Sequence, residues 1–406
     1  MLGRYIIMNY KHGLFSVYGI ELEYMIVDKQ SLEILPILDK LFYELLGEYG
    51  DEVERGQIAW NNELVLHVLE MKTNGPTDSL NGLDKIFHQS IQEANALLAK
   101  HNALLLPTGA HPWMDPKTSM HLWPHGDREI YESYHRIFNC EGHGWANLQS
   151  THINLPFKDD QEFVLLHNAI RVLLPIIPAL TASTPVLENK LTGSCDTRLM
   201  FYGQNQRKIP IISGEIIPEH ITSINEYHDA ILLPMYKDID PFDPHKILQE
   251  EWLNSRGAIA RFERGAIEIR IVDIQECPLA DVACIFAIVA LLKKLIEHGE
   301  LYDIDTGELK QIFLSMIKTG FDTIIEDKNY LSIFGFSKPM SAKEFWMHLL
   351  ESIQSDVPAT YFNVLQQIVK HGNLSERITH KIEKGNSIVS VYHELGDCLA
   401  ENKLFL

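Results

Sequence analysis

The decapeptide Gly19-Ile20-Glu21-Leu22-Glu23-Tyr24-Met25-Ile26-Val27-Asp28 constrains the fold of this chain more than any other segment. Its period-two alternation predicts a strand from Tyr18 to Val27, with Ile20, Leu22, Tyr24 and Ile26 on one face and Glu21 and Glu23 on the other. Two carboxylates on one face of such an apolar strand repel each other. Either they lie on the solvated outer face of an edge strand, the ordinary explanation of an isolated E-x-E, or a cation sits between them. Hard oxygen ligands of this kind favour Mg²⁺ or Mn²⁺.

Three further segments carry charge into apolar surroundings. Ile58 to Thr73 reads as a second extended segment, with Glu63 and Glu70 an odd number of residues apart. One regular strand would turn them to opposite faces, so a break near His67 is expected if both face a common site. In the strand-like stretch Ser150 to Leu155, His152 and Asn154 share the face opposite Ile153 and Leu155. Ala258 to Asp273 reads as a strand with Ile267, Ile269 and Ile271 on one face and Glu268 and Arg270 on the other. A carboxylate beside a guanidinium is either a salt bridge across a sheet or a pair that holds a metal and a phosphate oxygen. Each segment alone has a structural explanation. Together Glu21, Glu23, Glu70, His152, Glu268 and Arg270 suit several divalent ions and the triphosphate they neutralise.

Helices are expected over Leu35 to Leu46, from Thr77 or Asp78 to about His101, and over Glu162 to Leu180 with a break at Pro175 and Pro178. After Pro278 the pattern is almost wholly helical. No repeat, linker or regular βαβ alternation occurs, so the expected class is α+β, a mixed or antiparallel sheet with a helical C-terminal portion. With 35 Lys+Arg against 55 Asp+Glu in 406 residues, the net charge of −20 would repel nucleic acid and anionic membrane. Small molecules are the expected partners, an anionic one being recruited by bound cations and a few arginines. The five cysteines form no C-x-x-C pair, the segment MLGRYIIMNYKHG has no continuous apolar core, and Val282 to Leu292 is too short to span a bilayer. A cytoplasmic setting is therefore expected. Neither G-x-x-x-x-G-K-[ST] nor G-x-G-x-x-G is present, so bound ATP would be held through metal and carboxylate bridging.

Two other readings compete. A zinc hydrolase would draw on His111, His121, His125, His135 and His143, but Pro124 interrupts a helix carrying His121 and His125, and no H-E-x-x-H occurs. A catalytically inactive metabolite-binding protein on the same scaffold is the other.

The decapeptide at Gly19, the E-x6-E-M-K-T at Glu63, the loop Gly109-Ala110-His111-Pro112, the strand Thr151-His152-Ile153-Asn154 and the strand Ile267-Glu268-Ile269-Arg270-Ile271-Val272-Asp273 occur in a familiar order. In this order the chain resembles the glutamate-cysteine ligase and carboxylate-amine ligase family. The resemblance implies a glutamine synthetase-like catalytic domain over residues 1–300, in which a curved, mainly antiparallel sheet forms the active-site floor with helices on its outer side. It implies a helical portion, residues 301–406, packed on that domain. It further implies an ATP-dependent ligase of γ-glutamyl type acting in glutathione biosynthesis, with ATP and Mg²⁺ or Mn²⁺, amino acid or amine substrates, and a homodimer. By the same resemblance Glu21, Glu23, Glu63, Glu70, His152 and Glu268 form the metal shell. His152, Glu268 and Arg270 face the nucleotide, and Arg198 and Arg270 are the anion-binding catalytic arginines. Arg198 and Asn154 contact substrate, Asn154 standing where many members carry a second histidine.

Overall fold

A strand as apolar on one face as β1 (Gly19–Asp28) needs cover on that face and hydrogen-bonding partners on both sides. Both are met in the computed structural model, which describes residues 10–297 and 299–406. The first nine residues of the N-terminal segment read above lie outside the described residues. An open eight-stranded sheet runs β2 (Glu52–Arg55), β3 (Ile58–Asn62), β4 (Val68–Thr73), β1, β6 (Ser150–Pro156), β10 (Ala266–Asp273), β9 (Ala258–Arg261), with β5 (Ala103–Leu106) also paired to β1. Its pairings are antiparallel. A short hairpin, β7 (Val186–Leu187) and β8 (Lys190–Leu191), lies apart from it. Glu21 is thus flanked by Lys72 of β4 and His152 of β6, and Glu23 by Glu70. The outer-edge explanation of the E-x-E pair does not apply.

Ile20, Leu22, Tyr24 and Ile26 are fully buried and share one apolar core with helices Leu83–Leu98, Asp160–Leu173 and Pro278–Glu297. Full burial of such side chains contributes roughly 1.5–3 kcal/mol each. Helix Pro278–Glu297 is apolar all round because helices cover it on several sides, among them Leu83–Leu98, Asp160–Leu173 and Ala359–His371. The helical chain beyond Thr306 joins the same core through Leu309, Phe313, Trp346 and Leu365.

The helical stretch beginning at Asp160 breaks at Leu174–Ile176, where Pro175 interrupts it, and resumes as Ile177–Thr181. Other boundaries differ from the sequence pattern for identifiable reasons. The helix expected from Thr77 begins at Leu83, because Thr77 and Tyr18 exchange both backbone hydrogen bonds at 2.8 Å and Gly82 holds φ +86°. The first helix starts at Leu38 rather than Leu35, following Pro36. Ala258 to Asp273 is not one strand but a hairpin, turning through Phe262–Gly265 with Gly265 at φ +64°. The segment Ile58 to Thr73 divides at Asn62 and Val68, and the intervening chain pairs elsewhere: Leu66 N donates to His121 O at 2.9 Å and Trp123 N to Leu64 O at 3.0 Å.

One irregularity governs the site. Between β10 and β6 the register runs Glu268 to Asn154 and Ile269 to Ile153, then jumps to Val272 against Thr151 and Asp273 against Ser150. A β-bulge at Arg270 and Ile271 inserts one residue and turns Asp273 to the face that Glu268 occupies.

Replacing Leu22 with Ala should cost about 2–5 kcal/mol, since the side chain is fully buried in the central strand. A urea midpoint lowered at unchanged slope is the expected outcome of equilibrium unfolding.

Candidate active site

The register places acidic side chains from three segments side by side. Glu21, Glu70 and His152 form one group whose ligand atoms lie within 4.8 Å of one another; Glu23, Glu63 and Glu70 form a second, and Glu70 belongs to both. Glu63 reaches the group because the chain breaks after Asn62, which resolves its odd spacing from Glu70. Hydrogen bonds hold the cage from below. Ser150 donates to Glu23 Oε2 from its backbone N at 2.7 Å and from its hydroxyl at 3.1 Å, and that hydroxyl lies 2.9 Å from His152 Nε2. His152 Nδ1 is 3.0 Å from Glu21 Oε2, and Asn154 Nδ2 donates to Glu21 Oε1 at 3.1 Å.

The electrostatics show what this arrangement lacks. Burial, then the neighbouring charge of Glu23, pushes the Glu63 carboxyl up to about 7. Burial, then the charges of Glu21, Glu63 and Glu23, drives Glu70 well above the usual carboxylate range. Burial works against the charged form of His152, yet the Glu21 hydrogen bond and the charges of Glu23, Glu21 and Glu268 outweigh it and raise the imidazole. Glu63, Glu70 and His152 thus hold their protons more tightly than they would in water. Oxygen donors this close, with surplus negative charge and one imidazole, fit one or two hard divalent cations.

Glu268 stands beside the cage but in neither three-member group. Its Oε2 accepts from Arg261 Nη1 at 2.7 Å, its Oε1 forms an ion pair with Arg270 Nε at 2.8 Å, and His152 Nδ1 is 3.9 Å away. Burial opposes its charge, but Arg270, His152 and Arg261 outweigh that and hold the carboxyl down at about 2. Arg198, on helix Thr197–Tyr202, is 2% exposed and pairs through Nε with the Asp273 carboxylate that the bulge has turned toward it. Its terminal nitrogens meet the Arg270 carbonyl only at 3.5 Å. Gly109 allows this approach: a Cβ there would fall 2.8 Å from Asp273 Cγ and 3.0 Å from Thr184 Cγ2.

Cavities open on either side of the cage. One, about 470 Å³, is lined by Glu21, Asn154, Lys72, Val17, Ile20 and Pro76 among others. The other, about 490 Å³, is lined by Glu23, Glu63, Glu70 and His152 together with Arg198, Arg261 and Arg270. Arg264, on the hairpin turn 4.0 Å from Glu21, lines both. Asn154 therefore faces the cavity away from Arg198. Sequence reasoning missed Ser150, Arg261, Arg264 and Asp273. Treating Glu263-Arg264-Gly265 as a turn would have found the two arginines; the bulge behind Asp273 has no local signal.

The histidines of the zinc reading do not converge: among the described residues none of them belongs to a group of three ligand atoms. His111 is buried, with Nε2 2.7 Å from Leu32 O and Nδ1 accepting from Met114 N at 2.9 Å, which leaves no lone pair for a metal. His125 lies 3.3 Å from Asp39, and His135 Nδ1 accepts from Cys140 N at 3.2 Å. Nor is a cysteine nucleophile available: burial pushes Cys140, Cys195 and Cys398 up to about 12, and Cys277 and Cys284 are buried in the core.

An open antiparallel sheet with a carboxylate cage on its floor, flanked by two cavities, belongs to the ATP-dependent carboxylate-amine ligases of glutamine synthetase-like fold. The family model for glutamate-cysteine ligase family 2 (GCS2) matches residues 17–393, and the chain belongs to that family. This excludes the zinc hydrolase. An uncharacterised protein of Archaeoglobus fulgidus is 33% identical over 390 residues, 96% of this chain and 100% of that protein. A Bradyrhizobium diazoefficiens protein provisionally named glutamate-cysteine ligase 2 is 24% identical over 56% of this chain and 49% of its own length. Among solved structures, the glutamate-cysteine ligase of Francisella tularensis in complex with AMP has a TM-score of 0.64 at 14% identity, covering 97% of this chain and 90% of that one. The ligase PafA, in complex with the ubiquitin-like protein Pup, has a TM-score of 0.51 at 12% identity, covering 93% and 71%. At these identities the structures establish the shared fold.

Glu63 titrates near 7 in the fold against an ordinary value of 4.5, so between these values the folded state binds more protons than the unfolded chain. Its contribution to stability is present below about 4.5 and is lost as pH rises through about 7; the raised Glu70 and His152 act in the same direction. In EDTA, Tm should fall from about pH 5 to about pH 7.5, and Mg²⁺ should raise it most at the upper end. Thermal scans across that range check this; a Tm independent of pH in EDTA overturns it.

Proposed function

We propose that this ligase phosphorylates a substrate carboxylate with ATP and then exchanges the phosphate for an amine, with glutamate as the leading carboxylate and a γ-glutamyl amide as the product. The carrying observation is the shared-ligand cage between two unlike cavities. The more apolar one, beside Glu21 and Asn154, suits the nucleotide, and we place Asn154 there rather than beside the carboxylate substrate. The arginine-lined one suits that carboxylate.

Glu21, Glu70 and His152 would hold one Mg²⁺ or Mn²⁺ and Glu23, Glu63 and Glu70 a second, which would supply charge neutralisation for the phosphate oxygens. The chain's own groups do the rest. Arg270, anchored by Glu268, and Arg198, anchored by Asp273, present guanidinium nitrogens where the migrating phosphoryl group and the substrate carboxylate meet. The carboxylate oxygen takes the γ-phosphoryl group, ADP leaves, and the acyl phosphate forms. The amine nitrogen then attacks the acyl carbon, the C–O bond to phosphate breaks, phosphate departs, and the amine gives up one proton. No protein nucleophile is needed, in keeping with the inert cysteines. Burial of the cage limits the access of water that would hydrolyse the acyl phosphate.

Purified protein with ATP, Mg²⁺ and paired amino acids or amines should release phosphate and ADP in step with an amide detected by mass. ATP-independent product, or no ADP with any pair, overturns the proposal. Glu21→Gln and Glu268→Gln should abolish ADP formation with the fold intact by circular dichroism, since each removes a charge at nearly constant shape. Full activity of Glu21→Gln removes the cage assignment, and full activity of Glu268→Gln removes the role of the Arg270 anchor. Arg198→Lys should raise KM for the carboxylate more than KM for ATP, about tenfold or more, because it loses the fork that binds Asp273 and an anion together.

A further inference from the structure

Next to the arginine-lined cavity lies a larger one that the chemistry above leaves unused. It measures about 800 Å³, within the ~300–1,000 Å³ range of sites that take drug-sized ligands. The two share Gly144, Trp145 and Asn205, so the larger is an outer chamber that adjoins the inner one. The partition is specifically built. Asn205 Nδ2 donates to the Gly144 carbonyl across the contact between helices His143–Ala146 and Thr197–Tyr202. A Cβ at Gly144 would fall 1.6 Å from Asn205 Oδ1 and 3.1 Å from the Phe201 carbonyl, so no side chain fits there while Asn205 keeps its place.

The chamber's walls indicate what it would hold. Trp113, Phe138, Trp145 and Phe201 line it, Phe138 and Trp145 stacking with centroids 5.8 Å apart. Its ionised side chains are exposed at the rim and balance, Lys117, Arg207 and Lys208 against Asp115, Glu141 and Glu188. Glu188 is already paired with Lys190 at 3.1 Å, and Lys208 lies over the Phe242 ring at 4.5 Å. A ligand here meets aromatic surface and neutral polar groups such as Asn139, Asn189 and Gln204, with no buried fixed charge.

We infer that the outer chamber receives the far end of the amine substrate, an aromatic or alkyl group carried beyond the reacting nitrogen, while the amine itself reaches the inner cavity alongside Trp145, which lines both. The inference rests on the ligase reading and names its acceptor class: an extended apolar primary amine rather than a small free amino acid. In the coupling step the substrate amine forms the new C–N bond, phosphate leaves with the C–O electron pair, and the ammonium proton passes to solvent. The chamber takes no part in bond making.

The test fixes the carboxylate as the one found in the ligase screen and compares ethylamine, cysteine and 4-phenylbutylamine as acceptors, with ATP and Mg²⁺, by ADP release and product mass. The aromatic amine should exceed ethylamine in kcat/KM by about tenfold or more. Phe201→Ala, at a residue that lines only the outer chamber and is 37% exposed, should collapse that ratio toward unity through KM for the amine, and Phe201→Trp should restore it. An unchanged Tm for both variants excludes misfolding as the cause. Amide formed equally well from ethylamine or cysteine, or a ratio that survives Phe201→Ala, overturns the inference and leaves the ligase reading standing. No ATP-dependent amide with any amine removes both.

Discussion

The repulsion among carboxylates held in antiparallel register is the constraint on which the rest of the structure depends. Strand pairing sets Glu21, Glu23 and Glu70 on one face, and the chain break after Asn62 adds Glu63. Their separations follow from backbone geometry, and side-chain rotation does little to relieve them. Such a cage is stable only when protons or cations offset its charge, and Glu63 and Glu70 are held above the ordinary carboxyl range accordingly. What makes the site costly without a ligand also suits it, in the proposed scheme, to hold cations when the protons leave.

The opposite charge is arranged with equal economy. A chain with a net charge of −20 cannot attract a triphosphate through its overall field. Arginines brought in from the hairpin, the bulged strand and a separate helix line one side of the cage, each fixed by a buried carboxylate: Arg261 and Arg270 by Glu268, Arg198 by Asp273. These pairs orient guanidinium groups at the cost of desolvation, which the fold recovers through the apolar core beneath the sheet. The position of Glu268 accordingly changes its meaning. Read on its strand it could be a salt-bridge partner or a metal ligand, and the resemblance implied the latter; in the fold its oxygens face Arg261 and Arg270.

In the proposed scheme, chemistry and substrate selection are physically separable. The cage and its arginines belong to the sheet, whereas the outer chamber is built by loops and short helices around Gly144 and Phe201. Chemistry anchored to rigid strands tolerates variation in such surrounding segments, which is where acceptor preference can change without disturbing phosphoryl transfer.

Within each segment, the chain by itself determined which side chains share a face: Glu21 with Glu23, His152 with Asn154, Glu268 with Arg270. Alternation along a strand is local stereochemistry. The need for a break near His67 was equally legible, because parity is local too. The interior helix and the proline break could be read from composition. Which strands lie side by side was decided only by tertiary structure, as were the bulge that delivers Asp273 to Arg198, the hairpin that brings Arg261 to Glu268, and the chamber beyond Gly144. Register, bulges and cavities arise from hydrogen bonds and contacts between residues far apart in the chain, and local periodicity carries no term for them.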